Sequence, residues 1–217
     1  MNALELEDIK MQFNQKVLFE NLDLAIEKGT INTIMGESGS GKSTLLNIIG
    51  LLLKPTAGAI NILDYQNVKP NTRQAMLILR NDISYIFQNY ALIENDTVKE
   101  NLLLSKKYRK DFKEKELGES LEKVGISKEY LGHKVCELSG GEQQRIAIAR
   151  TMLKPCEIIL ADEPTGNLDT NNKEKIIHLF KELKKEGKTI ICVTHDEKMA
   201  KSADRIIDLK KERGSEK

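Results

Sequence analysis

The stretch Gly36-Glu37-Ser38-Gly39-Ser40-Gly41-Lys42-Ser43 spells G-x-x-x-x-G-K-[ST] without a substitution, the pattern of a loop that wraps phosphates. Its glycines let the backbone curl so that successive N–H groups point inward at an anion. The apolar run Thr33-Ile34-Met35 before it reads as the strand that launches the loop. Thr44-Leu45-Leu46-Asn47-Ile48-Ile49 after it reads as a helix whose positive N-terminal end points at the same phosphates. The candidates for gripping a nucleoside triphosphate are therefore Gly36, Ser38, Gly39, Ser40, Gly41, Lys42, Ser43 and Thr44. Lys42 supplies a full charge to the β- and γ-phosphates, and Ser43 is placed to hold Mg²⁺. A glycine-rich turn between strand and helix is the plainer reading. Average residue usage produces the pattern in roughly one chain in a hundred of this length, and the flanks lower that further.

Outward from the loop, Leu4-Glu5-Leu6-Glu7-Asp8-Ile9 and Leu22-Asp23-Leu24-Ala25-Ile26 alternate like half-buried strands, which predicts an antiparallel edge ahead of it. Ile60-Asn61-Ile62-Leu63 and Ile83-Ser84-Tyr85-Ile86-Phe87 are further strand candidates, with Pro55 and Gly58 marking a turn. From Asn89 to Leu153 the β signal fades, while Val98, Leu102 and Leu103, then Leu117, Leu121 and Val124, recur at helical spacing among charges. Afterwards a βα rhythm resumes: Ile158-Ile159-Leu160-Ala161, an amphipathic helix with Ile176, Ile177, Phe180 and Leu183 on one face, then the strand Thr189-Ile190-Ile191-Cys192-Val193. The expected fold is α/β, a P-loop NTPase core with a mostly parallel sheet, an N-terminal antiparallel β subdomain and an inserted α-helical subdomain. The expected boundaries are 1–88 and 154–209 for the two parts of the core, 89–153 for the helical insert and 210–217 for a mobile charged tail.

Two further constellations follow. Ile158-Ile159-Leu160-Ala161-Asp162-Glu163 is an apolar strand ending in two carboxylates. An acidic strand exit explains that on its own, but opposite a phosphate loop it predicts Asp162 nearest Mg²⁺ and Glu163 polarising the attacking water. Leu138-Ser139-Gly140-Gly141-Glu142-Gln143-Gln144-Arg145 opens a helix to about Leu153, with Ser139 and Glu142 in the relation of a capping box. A cap does not require two consecutive glycines, which are poor helix formers, whereas close approach of backbone N–H groups to an anion does. Since one nucleotide already has its cradle at 36–43, this second surface is expected to serve a nucleotide held by another subunit.

Composition narrows the classes. At 217 residues the chain has room for one nucleotide-binding module, and a net charge of +1 supplies no field that draws nucleic acid. Cys136, Cys156 and Cys192 lack C-x-x-C pairing and are expected to be buried, reduced thiols, which favours the cytosol. The longest apolar stretch, Leu45 to Leu53, falls short of the roughly 20 residues of a spanning helix, and the N-terminus lacks a basic-then-apolar signal. Any membrane contact is expected to go through a partner, and no regulatory domain is expected after the tail.

Taken in order, the phosphate loop, Gln88, Leu138-Ser139-Gly140-Gly141-Glu142, Asp162-Glu163 and His195 resemble an ATP-binding-cassette ATPase, the nucleotide-binding subunit of a membrane transporter, over essentially the whole chain. The resemblance implies that Gln88 touches Mg²⁺ and the attacking water and joins the core to the helical insert. It implies that His195 hydrogen-bonds the γ-phosphate and orients Glu163, and that Asn167-Leu168-Asp169 crosses to the other subunit through Asp169. The plainer role for Asp169 is the N-cap of a helix beginning near Asn171. Phe13 is the best match to the aromatic that stacks on adenine, with core packing as its competing role and Lys10 and Phe19 as weaker neighbours. The implied cofactors are ATP and Mg²⁺. The implied partners are a second copy, in an ATP-dependent homodimer, and an integral membrane permease on whose cytoplasmic face the protein sits, docked by 89–104.

Leu45-Leu46-Asn47-Ile48-Ile49-Gly50, Thr97-Val98-Lys99-Glu100-Asn101 and Glu163-Pro164-Thr165-Gly166-Asn167-Leu168-Asp169 are similar to exporters of the lipoprotein-release, macrolide-efflux and bacteriocin-export kind. Importer ATPases share much of the same wording. A chromosome-maintenance ATPase would place a long coiled coil between Gln88 and Leu138, which here are only 50 positions apart, and a cassette translation factor would carry two cassettes. A cassette ATPase powering a soluble assembly scaffold is the remaining alternative.

Overall fold

In the computed structural model, which describes residues 1–166 and 168–209, β1 (Asn2–Phe13) and β2 (Lys16–Glu27) form an antiparallel hairpin. Its two-residue turn is set by Asn14, whose φ of 51° an asparagine tolerates. β4 (Ala57–Ile62) pairs with the other edge of β1, giving a three-stranded sheet in the order β2-β1-β4. The second sheet is wholly parallel: β3 (Ile31–Met35), β5 (Ile83–Ile86), β6 (Ile158–Asp162), β7 (Thr189–Val193) and β8 (Arg205–Asp208) lie in the order β5-β6-β7-β3-β8.

The central strands are apolar without alternation because both of their faces are covered. Ile158 and Leu160 of β6, Ile191 and Val193 of β7 and Ile34 of β3 join the antiparallel sheet and α1 (Lys42–Ile49) in one core. Ile159 and Ala161, Ile190 and Cys192, and Ile31 point the other way, into a second core shared with the helices. Each such isoleucine or leucine stabilises the fold by about 1.5–3 kcal/mol on burial. Val98, Leu102, Leu117, Leu121 and Val124 sit in this second core, carried by α3 (Val98–Leu103) and by α4 (Lys115–Lys123) and its cap, and packed on α5 (Gly140–Leu153). α2 (Arg73–Asn81), α6 (Thr170–Lys185) and α7 (Glu197–Lys201) are the remaining α-helices among the described residues.

Several local expectations need correction. The strand expected at 60–63 runs over Ala57–Ile62 instead, without Leu63. α2 has no counterpart in the sequence reading, and its Met76 and Leu77 are exposed while only Ala75 and Ile78 are buried. On α6 the buried face is Ile176, Leu179, Phe180 and Leu183, with Ile177 only partly covered. Cys156 and Cys192 are buried, but Cys136 is exposed: in the short 3-10 turn Val135–Glu137 it is Val135 that turns inward. Asn167 and the tail expected to be mobile, 210–217, lie outside the described residues. Among the described residues no helix is long and apolar enough to cross a membrane.

Candidate functional site

Parallel pairing puts the carboxyl ends of β3, β5, β6 and β7 at one edge of the sheet, where ligands bind in such folds. Ile86 pairs with Ala161, Asp162 with Val193, and Val193 with Ile34. The residues that leave these ends therefore converge: the loop 36–41 after β3, Gln88 after β5, Glu163 after β6 and His195 after β7.

A cavity of about 550 Å³ opens there, within the range of small-molecule sites. Ser38, Gly39, Gly41, Lys42, Ser43 and Thr44 form its floor, Gln88, Glu163 and His195 one wall, and Phe13 another. Gly41 has a φ of 91°, and a Cβ on it would stand 2.8 Å from both Leu18 and Phe19, so only glycine fits. Ser40 is buried beneath the loop, where a Cβ on Gly36 would meet its Oγ at 2.7 Å.

Lys42 is 6% exposed, and its ammonium donates to the carbonyls of Gly36 and Glu37, each at 2.9 Å. Burial pushes its pKa down, while Glu163 and Asp162 hold the charge on. Ser43 donates its hydroxyl to Asp162 Oδ1 at 3.1 Å. Burial raises the Asp162 carboxyl against the opposing effects of Ser43 and Lys42. Two hard oxygens side by side, one on a poorly solvated carboxylate facing a phosphate loop, suit a divalent cation such as Mg²⁺.

Glu163 lies just past β6 in the left-handed region at φ 48°, a conformation an L-residue adopts only where its surroundings dictate it. Its N–H donates to Val193 O at 2.9 Å and its carbonyl accepts from Gly166 N at 3.0 Å. One carboxylate oxygen accepts from His195 N and the other lies against His195 Nε2, both at 3.3 Å. The strained backbone thus sets the carboxylate against the histidine beside it on the same wall.

Phe13 is 48% exposed on the cavity wall, which removes core packing as its role, whereas Phe19 is core at 1% and Lys10 pairs with Glu20 on the surface. Lys16, Leu18 and Gly166 also line the cavity and escaped the sequence reading. The two-residue turn after Phe13 was the available signal, because it sets Lys16 directly opposite Phe13.

Ser139, Gly140, Gly141, Glu142 and Asp169 do not line this cavity. The capping box forms: Ser139 N and Oγ both donate to Glu142 Oε2, at 2.9 and 2.7 Å, and Glu142 N donates back at 3.4 Å. Those bonds from Ser139 hold the Glu142 carboxyl below its usual range. Asp169 caps α6, which begins one residue earlier than expected, by accepting from Asn172 N at 3.0 Å.

A parallel sheet launching a lysine-bearing phosphate loop, with an aspartate on the loop's serine and a glutamate beyond it, defines a P-loop nucleoside triphosphatase. The family model described as ABC transporter matches residues 19–166. The uncharacterized ABC transporter ATP-binding protein YvrO of Bacillus subtilis is 43% identical over 194 residues, covering 88% of this chain and 84% of its own length. The dimeric ATP-binding cassette MJ0796 of Methanocaldococcus jannaschii, solved in a post-hydrolysis state bound to ADP and Pi, superposes with a TM-score of 0.86 at 36% identity, over 94% of this chain and 93% of that one. The macrolide export ATP-binding/permease protein MacB of Aggregatibacter actinomycetemcomitans is 39% identical over 217 residues, 97% of this chain but 34% of the relative, so the chain spans about a third of that protein. The chain belongs to the ABC transporter family and is an ATP-hydrolysing subunit of it.

Proposed function

We propose that two copies of this chain close around two MgATP and drive an integral membrane permease, in the manner of an exporter ATPase. In this reading Lys42 and the N–H groups of 36–44 hold the phosphates, Phe13 stacks on the base, and Glu163 takes a proton from the attacking water while His195 and Gln88 orient the two. Ser43 and Asp162, with Gln88 beside them, are the groups that would hold Mg²⁺. When bound, that ion would supply positive charge to neutralise the charge that develops on the phosphates. Ser139, Gly140, Gly141, Glu142 and Asp169 meet the partner copy's nucleotide, and the helices within 89–153 move as a body when Gln88 shifts.

One observation carries the reading. Lys42, Gln88, Glu163 and His195 line a single cavity, and Ser139, Gly140, Gly141 and Glu142 do not. The dimeric state of the MJ0796 cassette and the permease in MacB's name support a second copy and a membrane partner; that permease favours transport over a soluble scaffold. Export of macrolides, lipoproteins or bacteriocins rests on resemblance. In the segment proposed for docking, Ile93 is 47% exposed, but Leu92 packs on the second core.

The test is Glu163→Gln. MgATP binding should persist, turnover should fall by about a hundredfold or more, and ATP should now hold a dimer visible by size exclusion. Near-normal hydrolysis removes Glu163 as the base, and a variant that binds ATP yet stays monomeric removes the composite dimer.

A further inference from the structure

Helices α5 and α6 meet through one carboxamide. Asn172, in the first turn of α6, accepts from Arg145 Nη1 through Oδ1 at 2.7 Å and donates from Nδ2 to Asp169 Oδ2 at 2.5 Å. It lies so close to the start of α5 that a Cβ on Gly141 would stand 3.0 Å from Nδ2 and 3.2 Å from Cγ. Arg145 is 8% exposed, and its Nε has no hydrogen-bond partner among the described residues.

A buried guanidinium is tolerated only where acceptors compensate its desolvation, and its planar fork then fixes direction as well as distance. The bond from Arg145 Nη1 to Asn172 Oδ1 therefore ties α5 to α6. The other end of the same amide holds the outer oxygen of Asp169, whose inner oxygen is already committed to the cap. Gly141 and Asp169 are thereby set at a fixed separation by a side chain that does not line the nucleotide cavity.

We infer that Asn172 is a positioning residue for hydrolysis in the partner subunit: it sets the spacing between the 139–142 segment and Asp169, so that both meet one nucleotide at once. This rests on the composite-dimer reading above. Misplacement of such groups by about 1 Å costs up to roughly a hundredfold in rate, so removing the amide should act at the partner's pocket and spare the chain's own.

Mixed dimers carrying two different affinity tags decide it, with ADP formation measured in a single turnover. In the first arrangement an Asn172→Leu chain pairs with a Glu163→Gln chain, so the one live pocket receives an unaltered 139–142 segment. In the second both substitutions share a chain and the live pocket of the other chain receives the altered segment. The expected result is a rate within about twofold of the Glu163→Gln mixed dimer in the first and at least about tenfold lower in the second. ATP affinity of the isolated Asn172→Leu chain should be unchanged.

Equal losses in both arrangements, loss in the first alone, or no loss in either overturns the inference. Ser139→Arg in the same two arrangements separates the causes. If it follows the expected pattern and Asn172→Leu does not, only the role of Asn172 fails; if neither does, the composite site fails. Asn172→Ala, which keeps the backbone cap to Asp169, substitutes for the leucine should that variant melt early. As a readout independent of turnover, Asn172→Leu placed in the Glu163→Gln homodimer should shorten the lifetime of the ATP-held dimer by at least about tenfold, and an unchanged lifetime overturns the inference as well.

Discussion

Replacing Arg150 with methionine should release the segment that follows Gln88. Tyr90 and Ala91 are consecutive residues in the left-handed region, at φ 63° and 48°, where a residue bearing a Cβ costs about 1–2 kcal/mol, or about 2–4 for the pair. Arg150, near the end of α5, donates from Nη2 to Tyr90 O at 3.0 Å and from Nη1 to Ala91 O at 2.6 Å. Its own carbonyl accepts from Ser105 Oγ at 2.9 Å, which anchors it. Two hydrogen bonds from a charged donor contribute about 3–6 kcal/mol together, enough to offset the strain with about 1–2 kcal/mol to spare. Methionine keeps the apolar stem and forfeits both bonds, so the left-handed pair ceases to be preferred and Gln88, two residues upstream, drifts. Steady-state ATPase activity should fall about tenfold with ATP affinity unchanged, because nothing in 36–44 is touched. Glycine carries no Cβ penalty in this region, so adding Ala91→Gly should recover about fivefold of the loss, the equivalent of about 1 kcal/mol. Ala91→Gly alone should stay within about twofold of the unaltered chain. A double variant no faster than Arg150→Met would refute the reasoning, as would an Arg150→Met chain whose ATP binding falls along with its rate.

Ser139→Arg should leave ATP affinity of the isolated chain intact while suppressing hydrolysis and ATP-dependent dimerisation; the lost cap costs about 1 kcal/mol, so a melt accompanies the assay, and a monomer that no longer binds ATP contradicts it. Phe13→Ala should weaken ATP by about 1–3 kcal/mol, the worth of one base–aromatic stack, with an unchanged melting temperature because the ring is exposed; unaltered affinity in a calorimetric titration removes the stacking role. Burial first and Glu157 second push the Asp82 carboxyl above its ordinary 3.8, against Lys154, and its buried Oδ2 has no hydrogen-bond partner among the described residues. A raised folded-state pKa makes the stabilising contribution complete below the unfolded value and lost as pH rises through the folded one. Asp82→Asn should therefore raise the melting temperature near pH 7, with the gain fading as pH falls through the raised folded-state value and gone below about 4; an unaltered chain that melts higher than the variant near pH 7 counts against that assignment.

The readable parts of the fold were those in which local backbone chemistry and function coincide. The glycines and Lys42 of 36–43 must be there for the loop to exist at all, and Ile158–Asp162 announces a strand covered on both faces because every one of its apolar side chains has a core to enter. α2 was hidden for the opposite reason. Its inward stripe is short, Ala75, Ile78 and Leu79, and Met76 and Leu77 on the outside obscure it in Arg73-Gln74-Ala75-Met76-Leu77-Ile78-Leu79. Cys136 sits in a turn too short for any period to show which side chain points inward. The Arg150 and Arg145 contacts join residues about 60 and 27 positions apart, and no local pattern marks a bond whose partner is chosen by how two helices pack.

Those long-range contacts all end on one element. α5 carries Ser139 at its start, Arg145 reaching α6 in its middle and Arg150 gripping 90–91 near its end, and a Cβ on Gly140 would touch the Tyr90 hydroxyl at 3.4 Å. If Gln88 follows the γ-phosphate, the segment behind it either breaks from Arg150 or pulls α5 along. Breaking costs the two charged bonds, about 3–6 kcal/mol, and leaves the left-handed pair unsupported, which favours carrying the helix. α5 cannot move alone, however, because Arg145 holds it to Asn172 and through it to Asp169. A shift at the phosphate of one copy must then be shared by the very surface proposed to face the other copy's nucleotide. The stiffness of one helix, tied to α6 at its middle and to 90–91 near its end, is a sufficient physical reason for the two sites of such a dimer to sense each other.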